Sequence, residues 1–301
     1  MLQLRALNRR ALRRLERESP FPPPWQSMAR LEALGDAWLE RLRDARRGEA
    51  RLAGGLAAPV EALDRALRTD TVELLDRPDV DPARKLHMVR TLARQNRLLR
   101  SHARFLATVA PHVRAIHERE GRPARLLELA SGAGEFSLAC AAHAARQGLP
   151  VEVTGSDIVP EYVAAANERA RRQAIPARFL TLNAFDLSEL PAGAFDVVFI
   201  SQSLHHFSGG QLAMMMAQAR RVATTAFVGV DGRRGLALVG LVPVLAAVVG
   251  GPVLVHDATV SARKFYAEAE LELLARIALP DAAVTVRSSH PGFSVLDARW
   301  G

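Results

Sequence analysis

At 301 residues, with 49% apolar and 24% charged residues, the chain has the length and makeup of a soluble globular protein, which argues against disordered and membrane-spanning classes. Its formal charge of +8 is concentrated early: residues 1–120 hold 24 Lys/Arg against 16 Asp/Glu, whereas residues 121–301 hold 16 of each. Because 38 of the 40 basic residues are arginine, as a GC-rich coding bias produces, the excess is weak evidence for a polyanionic partner, and nucleic acid is disfavoured.

Cys140 is the only cysteine, which excludes an intrachain disulfide and a thiolate zinc site, so no metal is expected and a reducing, cytoplasmic setting is the simple expectation. The first eighteen residues place Leu2, Leu4, Leu12 and Leu15 among six arginines, an amphipathic pattern with no signal-peptide core behind it. A solvated or frayed helix is favoured there, with peripheral membrane or lipid contact left open. Phe21-Pro22-Pro23-Pro24-Trp25 breaks that helix, since three prolines cannot continue a hydrogen-bonded ladder. From Asp81 the apolar positions Leu86, Val89, Ala93, Leu99, Ala103, Leu106 and Ala110 recur at three- and four-residue steps, which predicts one long amphipathic helix ending at Pro111. The composition changes at Gly121-Arg122-Pro123, giving a helical N-terminal segment or cap over 1–120 and a second domain over 121–301.

Within 121–301, short β-rich runs alternate with helical ones, the pattern of a parallel sheet covered on both faces. Strands are predicted at Arg125–Ala130, Val151–Ser156, Ala177–Leu182, Phe195–Ser201 and Thr225–Val230. Ala283–Ser288 and Phe293–Ala298 are joined only by the turn at His290-Pro291-Gly292, so they must pair as an antiparallel hairpin. The expected fold is α/β: a Rossmann-like, seven-stranded, mostly parallel sheet ending in that hairpin and preceded by an α-helical segment.

The strongest local signal is Glu128-Leu129-Ala130-Ser131-Gly132-Ala133-Gly134, a strand running into a tight glycine turn and then a helix. Gly132 and Gly134 let the backbone turn sharply and approach a ligand. Ser137 stands where a nicotinamide fingerprint has its third glycine, and Glu128 would repel a pyrophosphate while suiting a cationic ligand. Asp157, followed by Ile158 at the end of the second strand, is placed to accept hydrogen bonds from ribose hydroxyls, a plain helix cap being the alternative.

On these motifs the stretch from Leu86 to Trp300 resembles the class I S-adenosylmethionine-dependent methyltransferases. The resemblance implies S-adenosylmethionine as cofactor, with Glu128, Gly132 and Gly134 around its methionine moiety, Asp157 on its ribose, and Ala130 and Ile158 as further cofactor contacts. It also implies that Asn183, Ala184 and Asp186 border the adenine. Asn183-Ala184 stands where relatives commonly have Asp-Ala, and Asp186 has a turn cap as its alternative role. The fourth strand and its extension, Ser201-Gln202-Ser203-Leu204-His205-His206, should face the sulfonium. Ser201 and Gln202 are candidate cofactor contacts, and His205 or His206 is a candidate base for a hydroxyl acceptor, backbone hydrogen bonding being the alternative.

Gly235–Val255 carries no charged residue, but Gly250-Gly251-Pro252 interrupts it, leaving about 15 helical residues or roughly 22 Å, short of the ~30 Å hydrocarbon core. It reads either as a buried helix or as an apolar lid over the acceptor pocket. Asp231, His256, Asp257 and Ser261 are weaker candidates for acceptor contacts. Arg97 and Arg100 are weaker candidates for the cofactor's carboxylate. The expected function is methyl transfer to a small, hydrophobic acceptor, with O-methylation favoured. The alternatives are an RNA or protein methyltransferase using the basic segment, and a catalytically silent cofactor-binding subunit.

Overall fold

The computed structural model describes residues 2–300. Five helices come first: α1 (Leu2–Glu18), α2 (Met28–Ala53), α3 (Ala57–Ala66), α4 (Pro82–Leu98) and α5 (Ser101–Glu120). The alternating unit comes next: β1 (Ala124–Leu129), α6 (Glu135–Gln147), β2 (Val151–Asp157), α7 (Pro160–Arg172), β3 (Ala177–Thr181) and β4 (Phe195–Ser201). After a 3-10 turn over Leu204–His206 come α8 (Gly209–Val222), β5 (Ala223–Gly232), α9 (Leu236–Gly250), α10 (Pro252–Lys264), α11 (Glu268–Ala278), β6 (Ala283–Ser289) and β7 (Phe293–Arg299).

The strands form one sheet in the order β3-β2-β1-β4-β5-β7-β6. β1 to β5 pair in parallel, while β7 runs antiparallel to both β5 and β6. All seven predicted strands are found within one or two residues of their expected limits. Every central strand is covered on both faces: Leu126, Val197 and Phe199 point to a core shared with α5 and α6, and Leu127, Val198 and Ile200 point to one shared with α2, α8 and α11. Near-continuous apolar runs are what two-sided burial demands of a parallel sheet.

The N-terminal helices depart from expectation in three places. α1 is neither solvated nor frayed: Leu4, Leu7, Ala11, Leu12 and Leu15 are buried, its apolar stripe packing on α2 and α11. The side chains of Leu2 and Leu86, named above in helical patterns, lie outside the described residues. The long helix from Asp81 is two helices, broken where Arg100 adopts a left-handed backbone (φ 53°). α4 packs Met88 against Ala246 and Leu254 of the α9–α10 pair, and α5 packs Phe105, Val109, Val113 and Ile116 on the sheet. One straight rod could not reach both partners. Pro111 lies inside α5, which runs on until Gly121 ends it in the left-handed conformation with its N–H on His117 O. Burial of Val109, Ala110, Val113 and Ile116 on either side of the proline offsets the one helical hydrogen bond it removes.

α2 crosses α8 at very short range. A Cβ on Gly35 would lie 2.8 Å from Gly210 Cα, and the Asp36 carboxylate accepts the Gly210 N–H (2.7 Å) at the positive end of α8. The arginine excess of the early chain is used internally. Arg43 and Arg68 both donate to the buried Glu270 of α11 (3.0 and 2.7 Å), Arg5 pairs with Glu268, and Arg46 and Arg234 share Asp64. α9 is not a buried core helix: Ala246 is covered, while Leu241, Val244 and Val248 face outward. Among the described residues no helix is long and apolar enough to cross a membrane.

Candidate active site at the carboxyl edge of the sheet

The ends of β1, β2 and β4 bring Gly132 against Asp157 and Ser201 against Glu128. Leaving β1, Ala130 takes a left-handed turn (φ 49°), and the Ser131 N–H donates to Ser156 O on β2 (2.8 Å). The Gly132 N–H then donates to Asp157 Oδ2 at 2.7 Å, while Asp157 Oδ1 accepts the Val159 N–H (3.0 Å) just before Pro160 opens α7. The glycine turn and the second-strand acid therefore meet directly. The direction in which Gly132 would carry a side chain is open, whereas a Cβ on Gly134 would run into the Phe179 ring. Gly134 serves close packing at the start of α6, and Gly132 faces free space. Ile158, next to Asp157, is 62% exposed, and the Ser131 hydroxyl is buried without a partner.

Glu128 sits beneath this rim, 3% exposed. Its Oε2 accepts the Ser137 N–H (3.1 Å) and hydroxyl (2.6 Å), and the Ser201 hydroxyl reaches Oε1 at 3.4 Å. Burial pushes its carboxyl up to about 8 against the pull of the Ser137 and Ser201 hydrogen bonds. After Ser201, Gln202 takes a left-handed backbone (φ 55°), with its N–H on Val230 O (2.8 Å). At the end of β3, Asn183 and Asp186 are exposed, and each carboxyl or amide oxygen accepts a local backbone N–H, from Phe185 and Ser188 respectively (3.0 Å each). Ala184 lies half-buried between them.

Beyond β4 the 3-10 turn presents His205 and His206 side by side, with ring centroids 4.3 Å apart. Asp231, at the end of β5, receives both the backbone N–H of His205 and its Nδ1–H, each at 2.8 Å. His205 Nε2 faces Glu73 Oε1 at 3.4 Å, an ion-pair distance. Burial alone would lower His205, but the carboxylates of Asp231 and Glu73 raise it to about 10, so it carries a proton at neutral pH. His206 gives its Nδ1–H to Asp76 (2.8 Å) and turns Nε2 toward Glu73 Oε2 at 3.9 Å. Although burial works in the opposite sense, the two histidines hold Glu73 below the usual carboxylate range.

Glu73 and Asp76 escape a reading of the sequence. They lie in the loop between α3 and α4, and no spacing or periodicity marks them; only the fold carries them to the histidines. Asp257 of α10 accepts the N–H groups of Leu74 (2.7 Å) and Leu75 (3.1 Å), seating that loop. Asp231 and Asp257, the weaker acceptor-side candidates, therefore hold up the histidine cluster, and His256 pairs with Asp257 (2.9 Å). Arg97 and Arg100 are exposed at the α4–α5 break.

Residues 126–225 match the family model described as a methyltransferase domain. A segment of the non-reducing polyketide synthase tazA of Aspergillus terreus is 33% identical over 91 residues, 29% of this chain, and the match spans only 3% of that synthase. Among solved structures, the plantazolicin methyltransferase BpumL, in complex with a triazolic desmethylPZN analog and SAH, superposes with a TM-score of 0.57 at 13% identity, over 80% of this chain and 98% of its own. The plantazolicin methyltransferase BamL, also with a triazolic desmethylPZN analog and SAH, gives 0.55 at 13% identity, over 80% and 98%. Likeness at that identity extends to the fold, and here it takes in the helices before the sheet as well as the sheet. With β1 leading through an acid and a glycine turn to an aspartate on β2, residues 126–225 have the arrangement that goes with the methyltransferase-domain model they match.

Proposed function

We propose that the chain transfers the methyl group of S-adenosylmethionine to an oxygen of a small, apolar acceptor. The observation that carries this reading is the 2.7 Å hydrogen bond from Gly132 N–H to Asp157 Oδ2, which makes the glycine turn and the ribose-type acid one site. Around it stand an open rim at Gly132, an unpartnered Ser131 hydroxyl and the exposed Ile158 side chain, the polar and apolar groups a nucleoside needs. Asp157 would take the ribose hydroxyls in exchange for its backbone donors. Glu128 lies beneath the place of the amino acid moiety, where a cationic ligand would favour its ionised form, and holds Ser137 and Ser201 in place. When bound, the cofactor supplies an electrophilic methyl carbon on a sulfonium, and the protein's task is to align the acceptor and remove its proton.

On the acceptor side, His205 is charged between two carboxylates, so it orients and polarises. With no ion in that place, His206, whose Nδ1–H is held by Asp76 and whose Nε2 turns toward Glu73 at 3.9 Å, is the better-placed proton acceptor. The Glu73 loop lies against the histidines, and the uncharged α9 packs on α4 and α10 next to it, which favours an apolar acceptor; the likeness to a polyketide synthase segment accords with one. BpumL was solved with a desmethylPZN analog, so a modified peptide is a second acceptor class to screen. The internal pairing of Arg5, Arg43, Arg46 and Arg68 weighs against RNA as acceptor.

Calorimetric titration with S-adenosylhomocysteine, repeated on Asp157→Ala, tests the cofactor site. An acceptor screen read by mass spectrometry then tests the transfer. Loss of binding in Asp157→Ala with oxygen-methylated product in the wild type is expected; binding unchanged by the substitution would sink the assignment. Binding without transfer to any acceptor would identify a silent subunit.

A further inference from the structure

Glu73, His205 and His206 form the one group of metal-ligating side chains found among the described residues, with one ligand atom of each lying within 4.8 Å of the others. Three features set it apart from an ordinary ion pair. First, the two imidazoles are oriented alike: each gives Nδ1–H to a carboxylate outside the cluster, Asp231 or Asp76, at 2.8 Å, leaving both Nε2 atoms turned toward Glu73. That carboxylate–histidine arrangement is the outer support typical of metal-bound histidine. Second, His205 Nε2 and Glu73 Oε1 are buried and face each other at 3.4 Å outside hydrogen-bond geometry, so that a metal ion taking the place of the Nε2 proton would satisfy both atoms. Third, the cluster is seated from behind: Asp231 takes the backbone of His205, and Asp257 clamps the backbone next to Glu73.

We propose that Glu73, His205 and His206 bind one divalent transition-metal ion through a carboxylate oxygen and two Nε2 atoms. Bonds of about 2.0–2.2 Å in a tetrahedral site put ligand atoms roughly 3.3–3.5 Å apart, which the 3.4 Å separation of His205 Nε2 and Glu73 Oε1 meets, while His206 Nε2, 3.9 Å from the other carboxylate oxygen, has to draw in from within the 4.8 Å span of the group. Two nitrogens and one oxygen suit zinc, cobalt, manganese or ferrous ion over calcium or magnesium. Three protein ligands leave a position open for an oxygen of water or of the acceptor. This last clause rests on the methyl-transfer reading; the metal site itself does not.

The test uses the full chain, stripped with EDTA and without cofactor, titrated with Zn2+ by calorimetry and with Co2+ by visible absorption. One ion per chain is expected, with ligand-field bands for Co2+. Affinity should fall at least 100-fold in Glu73→Gln and His206→Gln, and about 10- to 100-fold in Asp76→Asn, through the outer support alone. Circular dichroism and thermal unfolding of each variant separate lost binding from lost fold. Binding equal in the wild type and in a folded Glu73→Gln/His206→Gln double variant, or no binding in the wild type, overturns the site. S-adenosylhomocysteine titration of the same preparation reports on the methyl-transfer reading independently.

Discussion

Asp257 holds Leu74 by the backbone: its Oδ1 accepts the Leu74 N–H at 2.7 Å, with Oδ2 on the neighbouring Leu75 N–H at 3.1 Å. One carboxylate thus anchors a segment with no regular structure of its own to α10. Asp257→Ala is expected to leave two partly buried N–H groups without acceptors, a cost of about 1–3 kcal/mol each where water cannot replace the bond. Hydrogen exchange at Leu74 and Leu75 should accelerate while exchange in β1 and β4 stays slow. Unchanged exchange at both amides would mean that the loop is seated by its apolar contacts instead.

Ile158 predicts a separable effect on the cofactor. It is 62% exposed, so Ile158→Ser should shift folding stability by no more than about 0.5 kcal/mol. If an adenosyl group covers about half of this side chain, losing that contact costs about 1–1.5 kcal/mol, roughly a tenfold weaker S-adenosylhomocysteine affinity. Calorimetry on the variant checks this, and affinity within twofold of wild type would place the nucleoside elsewhere.

Glu128 predicts a pH dependence whose sign is definite. Its folded value of about 8 stands above the ordinary 4.5, so its neutral form is the one the ligand-free fold favours. That contribution to stability is complete below about pH 4.5 and is lost as pH rises through 8. A cationic ligand prefers the ionised carboxylate, so affinity for S-adenosylmethionine should strengthen between about pH 6.5 and 8.5, by up to about tenfold per unit below the titration point. In Glu128→Gln the profile should be flat over that range; a slope that persists would assign the titration to another group.

Gly35 tests how the N-terminal helices are attached. With the Cβ position only 2.8 Å from Gly210 Cα, Gly35→Val pushes two helix backbones apart and should cost about 1–3 kcal/mol or more in urea unfolding. Asp36 would lose its hold on Gly210 in the same movement. Stability within about 0.5 kcal/mol of wild type would show that α2 rides loosely on α8.

The sheet is legible in the sequence because its strands are buried on both faces: Leu126 to Leu129 and Val197 to Ile200 are largely apolar runs, and the glycine turn after β1 and Pro160 after β2 mark where helices begin. The meeting of the glycine turn with Asp157 is legible for a related reason, since Glu128, Gly132, Gly134 and Asp157 lie at strand ends whose order fixes their neighbours. The α4–α5 break is not, because the left-handed residue is Arg100 and neither glycine nor proline stands there. Pro111 misleads for the opposite reason: a local helix breaker is outweighed by the sheet contacts of its neighbours. The amphipathic face of α1 is visible, but the surface that covers it is not. Glu73 leaves no trace in the sequence, since its meaning comes entirely from a loop that the fold carries across to β4.

Glu73 reaches His205 from a loop outside residues 126–225, and Asp257 fastens that loop from beyond the other end of the same range. The Gly132–Asp157 end of the edge is built from short-range neighbours along β1 and β2, whereas the opposite end borrows one group from ahead of the sheet and one from late in the chain. On the proposed function, exchange of the 67–81 loop and the α9–α10 pair would therefore retune which molecules are accepted while leaving the Gly132–Asp157 contact intact. Diversification under selection has the same route open to it.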